Sequence, residues 1–531
     1  MDRMSRRDFI AGAGAAGLAL GAAGVAGKAL SGSDSPTRRA IRAGAAAPTI
    51  SPSSCPIKNV IVVMMENRSF DHVYGRLPGV EGLRRSMSNP DVDNERIYVH
   101  NQRDFPCTIG DLNHGRPSVL AQINNGAMNG FVKDTGTQTM GYFGPAELPW
   151  QYAIAEQYTV FDHWHCSLAG PTFPNREYLH AGTSAGRIAN VLTPGRLGLT
   201  ERTVFDQLND QQVPWKQYFT DVPFGALYLG LALTHLNNFQ GVSQFYADAA
   251  AGALPPVSFV EPGLLIGTDD HPPASMQAGQ RFLADVVTAA MHSPQWPETA
   301  IFVTYDEHGG LFDHVAPPNM PDDFPELGNP IGIRVPTMIV SPWAPKGKVA
   351  SSIHDHTSIT KFIQWRFLTG SPSLSKRNAA ALNPVYAFDF SKMRTDVPAL
   401  PVPAIDETLA TLCFLGHTLP DGKTYSLPGG EGPESATRFS NNGGAVPAQS
   451  KAAAAASAAL PATVVDGILT ATGPDGKPLP PAQPELLALA KAGVIPEPLN
   501  QLPVPGKKTP NPFLDRRTLS KTPAWKTAAR R

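Results

Sequence analysis

Val60-Ile61-Val62-Val63-Met64-Met65-Glu66-Asn67-Arg68-Ser69-Phe70-Asp71-His72 opens with six apolar residues and then turns abruptly polar and ionisable. A short apolar run bounded this sharply predicts a strand buried on both faces, as in a parallel sheet. Open α/β sheets bind ligands at the carboxyl ends of such strands, and Glu66 and Asn67 stand at that end. A carboxylate beside an amide carbonyl offers two hard oxygen donors suited to a divalent cation. The same residues also read as an ordinary strand-to-helix turn, with Asn67 capping a helix from about Arg68.

Two further stretches repeat the pattern of an apolar run that ends in chemistry. In Leu168-Ala169-Gly170-Pro171-Thr172-Phe173-Pro174-Asn175-Arg176-Glu177, a hydroxyl stands at the head of a predicted helix. There, backbone N–H groups and the positive dipole end favour an anion such as phosphate. Thr172 is the candidate nucleophile, its hydroxyl activated by metal coordination; the plain alternative is a helix cap after a Gly-Pro turn. In Ile301-Phe302-Val303-Thr304-Tyr305-Asp306-Glu307-His308-Gly309-Gly310, a strand runs into two adjacent acids. Neighbouring carboxylates repel unless a cation or proton lies between them. With Glu66 they predict a three-carboxylate oxygen cage; the alternative is an exposed acidic turn. Histidines in loops, His114, His271, His314 and His356, are candidates to bind a phosphoryl oxygen or protonate a leaving group.

Strand-like runs at Val60–Met65, Thr159–Phe161, Val257–Val260, Ala300–Tyr305 and Thr337–Val340 alternate with helical stretches near Asn175–Gly182, Ser275–Met291 and Thr357–Phe367. That alternation predicts an α/β fold of parallel βα units. Residues 219–241, rich in Gly, Leu and aromatics, read as a loop serving as headgroup lid or interfacial surface.

The 531 residues carry 44 Lys+Arg against 45 Asp+Glu. This balance excludes the global basic field of a nucleic-acid binder. Arg6-Arg7 ahead of an uncharged Ala/Gly-rich run marks residues 1–47 as a twin-arginine signal and the start of a linker. The chain is therefore expected to use the twin-arginine export machinery and to act in the periplasm, at the cell wall or after secretion. Export permits disulfides, and Cys55–Cys107 is one pairing among Cys55, Cys107, Cys166 and Cys413; no C-x-x-C spacing suggests a thiolate zinc site. Residues 48–416 are expected to form the catalytic domain. Residues 417–531, rich in Gly, Pro and Ala, read as a poorly ordered extension. Its last 25 residues hold eight Lys/Arg and one Asp, which suits solubility or contact with an anionic membrane surface.

Four stretches carry a resemblance: MENRSFDHVYGRLPGV (65–80), DHWHCSLAGPTFPNREYLHAGT (162–183), TYDEHGGLFDHVAPP (304–318) and SPWAPKGKVASSIHDHTSITKFIQW (341–365). In this order the chain resembles the bacterial phosphoesterase family of non-specific phospholipases C and acid phosphatases, and is similar to plant non-specific phospholipases C. The resemblance implies an alkaline-phosphatase-like fold with a mostly parallel central sheet flanked by helices. It implies that Glu66, Asn67, Asp306 and Glu307 hold a divalent metal ion and that Thr172 forms a phosphorylated intermediate. The phosphate-contacting histidines of the family map onto His114 and His271. Thr-x-Pro-x-Arg at 172–176 also resembles the sulfatase pattern Cys-x-Pro-x-Arg, but threonine cannot become formylglycine, which argues for phosphate. The expected substrate is a phospholipid or a small phosphate ester, cleaved as by phospholipase C or as by an acid phosphatase. An inert exported binding protein on the same scaffold is the reading of another class.

Overall fold

The computed structural model describes residues 50–102, 109–190, 198–264 and 267–403. The predicted signal at 1–47, Cys107, Cys413 and the extension at 417–531 lie outside the described residues. Val60–Met65 falls within strand β1 (Asn59–Met65), whose residues are all buried, as a double-sided apolar run requires. Seven more strands join it in one sheet: β2 (Thr159–Phe161), β3 (Trp215–Phe219), β4 (Phe239–Gly241), β5 (Val257–Glu261), β6 (Thr299–Tyr305), β7 (Thr337–Val340) and β8 (Val349–Ala350). Their order across the sheet is β8-β2-β7-β6-β1-β5-β3-β4. β1 lies at the centre, parallel to β6 on one side and to β5 on the other.

The sheet is mostly parallel, with one correction to the sequence reading. β7 runs antiparallel to both neighbours, β6 and β2. A parallel strand needs a crossover that returns the chain to the opposite edge. Between β6 and β7 the chain forms only a short 3-10 turn at Pro325–Leu327, so it re-enters the sheet from the edge it left.

The helices that matter for the site are α1 (Phe70–Tyr74), α2 (Arg116–Ile123), α3 (Thr172–Ala181), α4 (Met276–His292) and α5 (Thr357–Phe367). Ser69, not Asn67, caps α1, its hydroxyl accepting from the His72 N–H. Asn67 instead adopts the left-handed region, φ 57°, which Asn tolerates better than most residues. Ser275 caps α4, whose buried face includes Phe282, Leu283, Val286 and Ala290. One large hydrophobic core packs these elements on the sheet, and a smaller one, including Leu83, Val119, Phe131 and Phe312, lies under residues 83–142. Among the described residues no helix is long and apolar enough to cross a membrane.

Residues 219–241 are not the loop expected from sequence. They hold a 3-10 turn (Phe224–Leu227), a helix (Leu229–Thr234) and the edge strand β4. Val222, Phe224, Tyr228, Leu229 and Leu231 are buried, so the apolar content of this segment serves packing rather than an interfacial surface. β3 and β4 escaped the sequence reading because Lys216, Gln217 and Gln240 interrupt their apolar pattern.

Candidate active site

Register builds the site. β1 and β6 pair from Asn59↔Thr299 to Met65↔Tyr305, so the residues that follow, Glu66 and Asp306, leave adjacent strands at one level. The Asp306 N–H donates to the Met65 carbonyl at 3.0 Å. The left-handed turn at Asn67 then directs its own N–H to Asp306 Oδ1 at 2.9 Å, and the Glu307 N–H donates to the same oxygen at 2.7 Å. Glu307 Oε2 accepts from the Gly309 N–H at 2.7 Å. Gly309 has φ 65° and packs on Asn67, whose backbone oxygen a Cβ would approach to 2.3 Å, so glycine is needed there.

Thr172 is the first residue of α3. The cap position falls to Pro171, with no side-chain cap bond. The Thr172 hydroxyl donates instead to Glu66 Oε2 at 3.2 Å, which disposes of the helix-cap alternative. Asn175 holds the preceding turn: its Oδ1 accepts from the Leu168 N–H, and its Nδ2 faces the carbonyls of Leu168, Gly170 and Pro171 at 3.0–3.2 Å. One turn along α3, Arg176 is fully buried. Its Nε donates to Glu66 Oε1 at 2.8 Å and its Nη1 to Glu261 Oε2 at 2.8 Å. Burial works against the Arg176 charge, but Glu66, Glu261 and Asp306 outweigh it and raise its pKa.

His114 and His271 meet edge to face, ring centroids 5.9 Å apart. Nδ1 of each lies 2.6 Å from a backbone carbonyl, Leu112 for His114 and Pro272 for His271. A carbonyl only accepts, so Nδ1 carries the proton in both. His114 Nε2 therefore faces Asn67 Nδ2 at 3.3 Å and Glu307 Oε1 at 3.6 Å. Burial disfavours the imidazolium of His114, but Glu307, Asp111 and Glu66 outweigh that and raise its pKa above the ordinary value. The 268–271 loop is bound to the same centre, because the Glu66 N–H donates to the Asp269 carbonyl at 2.8 Å.

The seven residues to which the resemblance assigns a role, Glu66, Asn67, His114, Thr172, His271, Asp306 and Glu307, thus join one buried group. The acids are not an exposed turn: Asp306 and Glu307 are fully buried. Burial, then Glu66 and Glu307, push the Asp306 carboxyl well above its usual range against the pull of Arg176. Three oxygens of this group, Asn67 Oδ1, Asp306 Oδ2 and Glu307 Oε1, are buried with no hydrogen-bond partner. Buried polar atoms are rarely left so, and hard oxygens in an anionic setting suit a hard divalent cation. The residues present therefore fit such an ion. A further ligand-like group adjoins it: Asp111, His114 and His271 offer atoms within 4.8 Å of one another.

Other histidines sort differently. His314 joins Asp71 and Asp313 in a second cluster with mutually close ligand atoms, but Arg334 already fills it, 3.0 Å from Asp71 and 2.9 Å from Asp313. His356 Nε2 donates to the Asp306 carbonyl at 2.7 Å, and burial lowers its pKa to about 4. His354 stacks on Trp164 and Tyr386.

The sequence reading missed Arg176 as a partner of Glu66, and it missed Glu261. The signal for Glu261 was present: β5 is an apolar run that ends in a carboxylate, as β1 and β6 do.

Residues 57–369 match the Phosphoesterase family. Non-specific phospholipase C1 of Arabidopsis thaliana is 35% identical over 373 residues, 61% of this chain and 70% of the relative. Non-hemolytic phospholipase C of Pseudomonas aeruginosa is 29% identical over 410 residues, 65% of this chain and 59% of the relative. A solved protein of the alkaline phosphatase superfamily from Vibrio parahaemolyticus aligns with 58% of this chain and 66% of its own, at TM-score 0.31 and 10% identity.

Proposed function

This chain belongs to the Phosphoesterase family and is a hydrolase of phosphate esters, and from that premise we propose a metal-dependent phosphodiesterase of phospholipase C type. Its substrates are phospholipids such as phosphatidylcholine, and its intermediate is a phosphothreonine. The observation that carries this reading is the Thr172 hydroxyl, which is turned from its own helix toward Glu66 Oε2 at 3.2 Å.

Glu66, Asn67, Asp306 and Glu307 would hold a divalent cation, which when bound lowers the pKa of a coordinated hydroxyl and offsets charge on phosphoryl oxygens. Thr172 Oγ1 attacks phosphorus, and its proton passes to Glu66 Oε2. The bond from phosphorus to the diacylglycerol oxygen breaks, leaving the phosphorylated headgroup on Thr172. His271 or His114, in either case as the imidazolium, gives the departing alcohol a proton through Nε2, since Nδ1 is tied to a carbonyl in both. Water then attacks phosphorus, giving its proton to the histidine that lost one, and Thr172 departs, recovering its proton from Glu66, so that the phosphorylated headgroup is released. In its neutral form His114 accepts from Asn67 Nδ2 instead, which leaves Asn67 Oδ1 as the atom that would hold a cation.

Charge favours a diester over a monoester. The nearby buried arginines are committed to protein groups: Arg68 to the Asp270 carbonyl and His72, Arg176 to Glu66 and Glu261, Arg377 to Asp322 and Asp355. Among the described residues no buried guanidinium is left uncommitted to offset a dianionic monoester beside Glu66, Asp306 and Glu307, whereas a diester brings a single charge. Export by residues 1–47 and transient contact with a membrane surface complete the proposal.

The test compares p-nitrophenylphosphorylcholine with p-nitrophenyl phosphate, with and without chelator. Chelator-sensitive diesterase activity supports the reading. Monoesterase activity alone replaces it with an acid phosphatase, and inactivity on both replaces it with a binding protein.

A further inference from the structure

We propose that Glu261 is a positioning residue for phosphoryl transfer, dividing the positive charge of Arg176 so that Glu66 keeps enough negative charge to hold a cation and receive the Thr172 proton. This rests on the phosphodiesterase reading above. Glu66 and Glu261, at the ends of neighbouring strands β1 and β5, sit on opposite sides of one guanidinium. Arg176 Nε donates to Glu66 Oε1 at 2.8 Å, and Nη2 lies 2.7 Å from the same oxygen. Nη1 donates to Glu261 Oε2 at 2.8 Å. The other oxygen of Glu261 accepts from Gln217 Nε2 at 2.9 Å. Gln217 is itself pressed under Gly225, where a Cβ would come within 2.1 Å of its Oε1.

A buried carboxylate is costly unless it is paired, and this one is added to three others already crowded at the strand ends. Its place on Arg176 gives a reason. With Glu66 as sole counterion, the guanidinium would neutralise the very ligand it orients. Shared between two carboxylates, it offsets less of the charge of Glu66: the formal sum over Glu66, Asp306, Glu307 and Arg176 is −2, and Glu261 takes it to −3. Because two nitrogens of Arg176 converge on Oε1, Oε2 of Glu66 remains directed at Thr172. Arg176 thus fixes the direction of Glu66, and Glu261 fixes its charge.

Glu261→Gln removes the charge while keeping the size and an oxygen acceptor for Arg176. The expected result on p-nitrophenylphosphorylcholine is a kcat lower by about 10- to 100-fold with KM changed by less than about two-fold, the mark of an interaction that matters in the transition state. Mn²⁺ binding to the metal-stripped variant, read by electron paramagnetic resonance, weakens by roughly ten-fold, in the range reported for outer-shell partners of metal ligands. Glu261→Asp recovers part of both. Parental kcat and parental Mn²⁺ affinity in Glu261→Gln overturn the proposal. So does a loss of thermal stability with both values intact, since that describes a merely structural carboxylate. If Glu261→Gln does not fold, Gln217→Leu must show the same two losses in weaker form, and parental values there overturn it. Thr172→Ala measured alongside keeps the two levels apart. An active Thr172→Ala, or a parent that binds no Mn²⁺, undoes the underlying reading. An inactive Thr172→Ala beside a parental Glu261→Gln undoes only the role of Glu261.

Discussion

Two groups of buried acids lie past the carboxyl ends of the same sheet, and they differ in how completely their charges are met. In one, Asp71 and Asp313 share Arg334, His314 lies 2.6 Å from Asp71, and Arg334 also donates to the Asp162 and Glu81 carbonyls. The Arg334 guanidinium also lies 4.6 Å from the Phe70 ring centroid, a cation–π contact. In the other, Arg176 is the one arginine among the described residues that pairs with Glu66, Asp306 or Glu307, and it is shared with Glu261. Asn67 Oδ1, Asp306 Oδ2 and Glu307 Oε1 are left without a hydrogen-bond partner. Acidity is common to both clusters. What separates a structural cluster from a candidate site is bonding capacity that the protein itself does not use.

Predictions follow this contrast. At the unmet cluster, Thr172→Ala should reduce diesterase turnover by about 10³-fold or more with the fold intact; a steady-state assay beside circular dichroism checks it. At the met cluster the loss should be of stability. Arg334→Met strands two buried carboxylates and is expected to cost about 3–5 kcal/mol, read by chemical denaturation, with any surviving folded protein still able to bind metal. Divalent metal should raise the melting temperature, with a stabilisation of about 2.7 kcal/mol at a hundred-fold excess over Kd, and Asp306→Asn should abolish that rise. Without metal the same substitution should not destabilise the protein, because burial and the Glu66 and Glu307 carboxylates already work against the charge of Asp306.

The smallest effect tests the rim of the met cluster. His163 lies 3.0 Å from Asp162 and 3.3 Å from Glu81. Burial opposes its protonation, but these carboxylates outweigh it and raise its pKa to about 9. A folded pKa above the unfolded one stabilises fully below the ordinary imidazole value, and that stability disappears as pH climbs through about 9. Allowing for the solvent that reaches Glu81, the term is about 1 kcal/mol. His163→Gln should flatten the stability profile over that window, as measured by denaturation at a series of pH values.

Much of this was legible in the sequence for a physical reason. β1 and β6 are buried on both faces, so neither carries a charged residue before its end and the switch to Glu66 and Asp306 stands out. Thr172 was legible because a Gly-Pro turn precedes a helix head. β3 and β4 were not, because Lys216 and Gln217 hide the strand pattern, and Gln217 is there to bind Glu261. The reversal of β7 was also hidden, since a four-residue strand, Thr337–Val340, carries no sign of its direction. Arg334 and Arg377 were missed because a lone arginine in a sequence gives no sign of being buried between acids from distant segments.

The reversal of β7 has an evolutionary corollary. Residues 306–336 leave the sheet and return to it at one border, anchored at both ends beside the reacting groups. Its two ends are held by the acid clusters, but within it residues 315–321 are nowhere buried, and that stretch can grow or shrink without altering how the strands are wired. Selection acting on substrate choice has an adjustable margin there, insulated from the architecture beneath it.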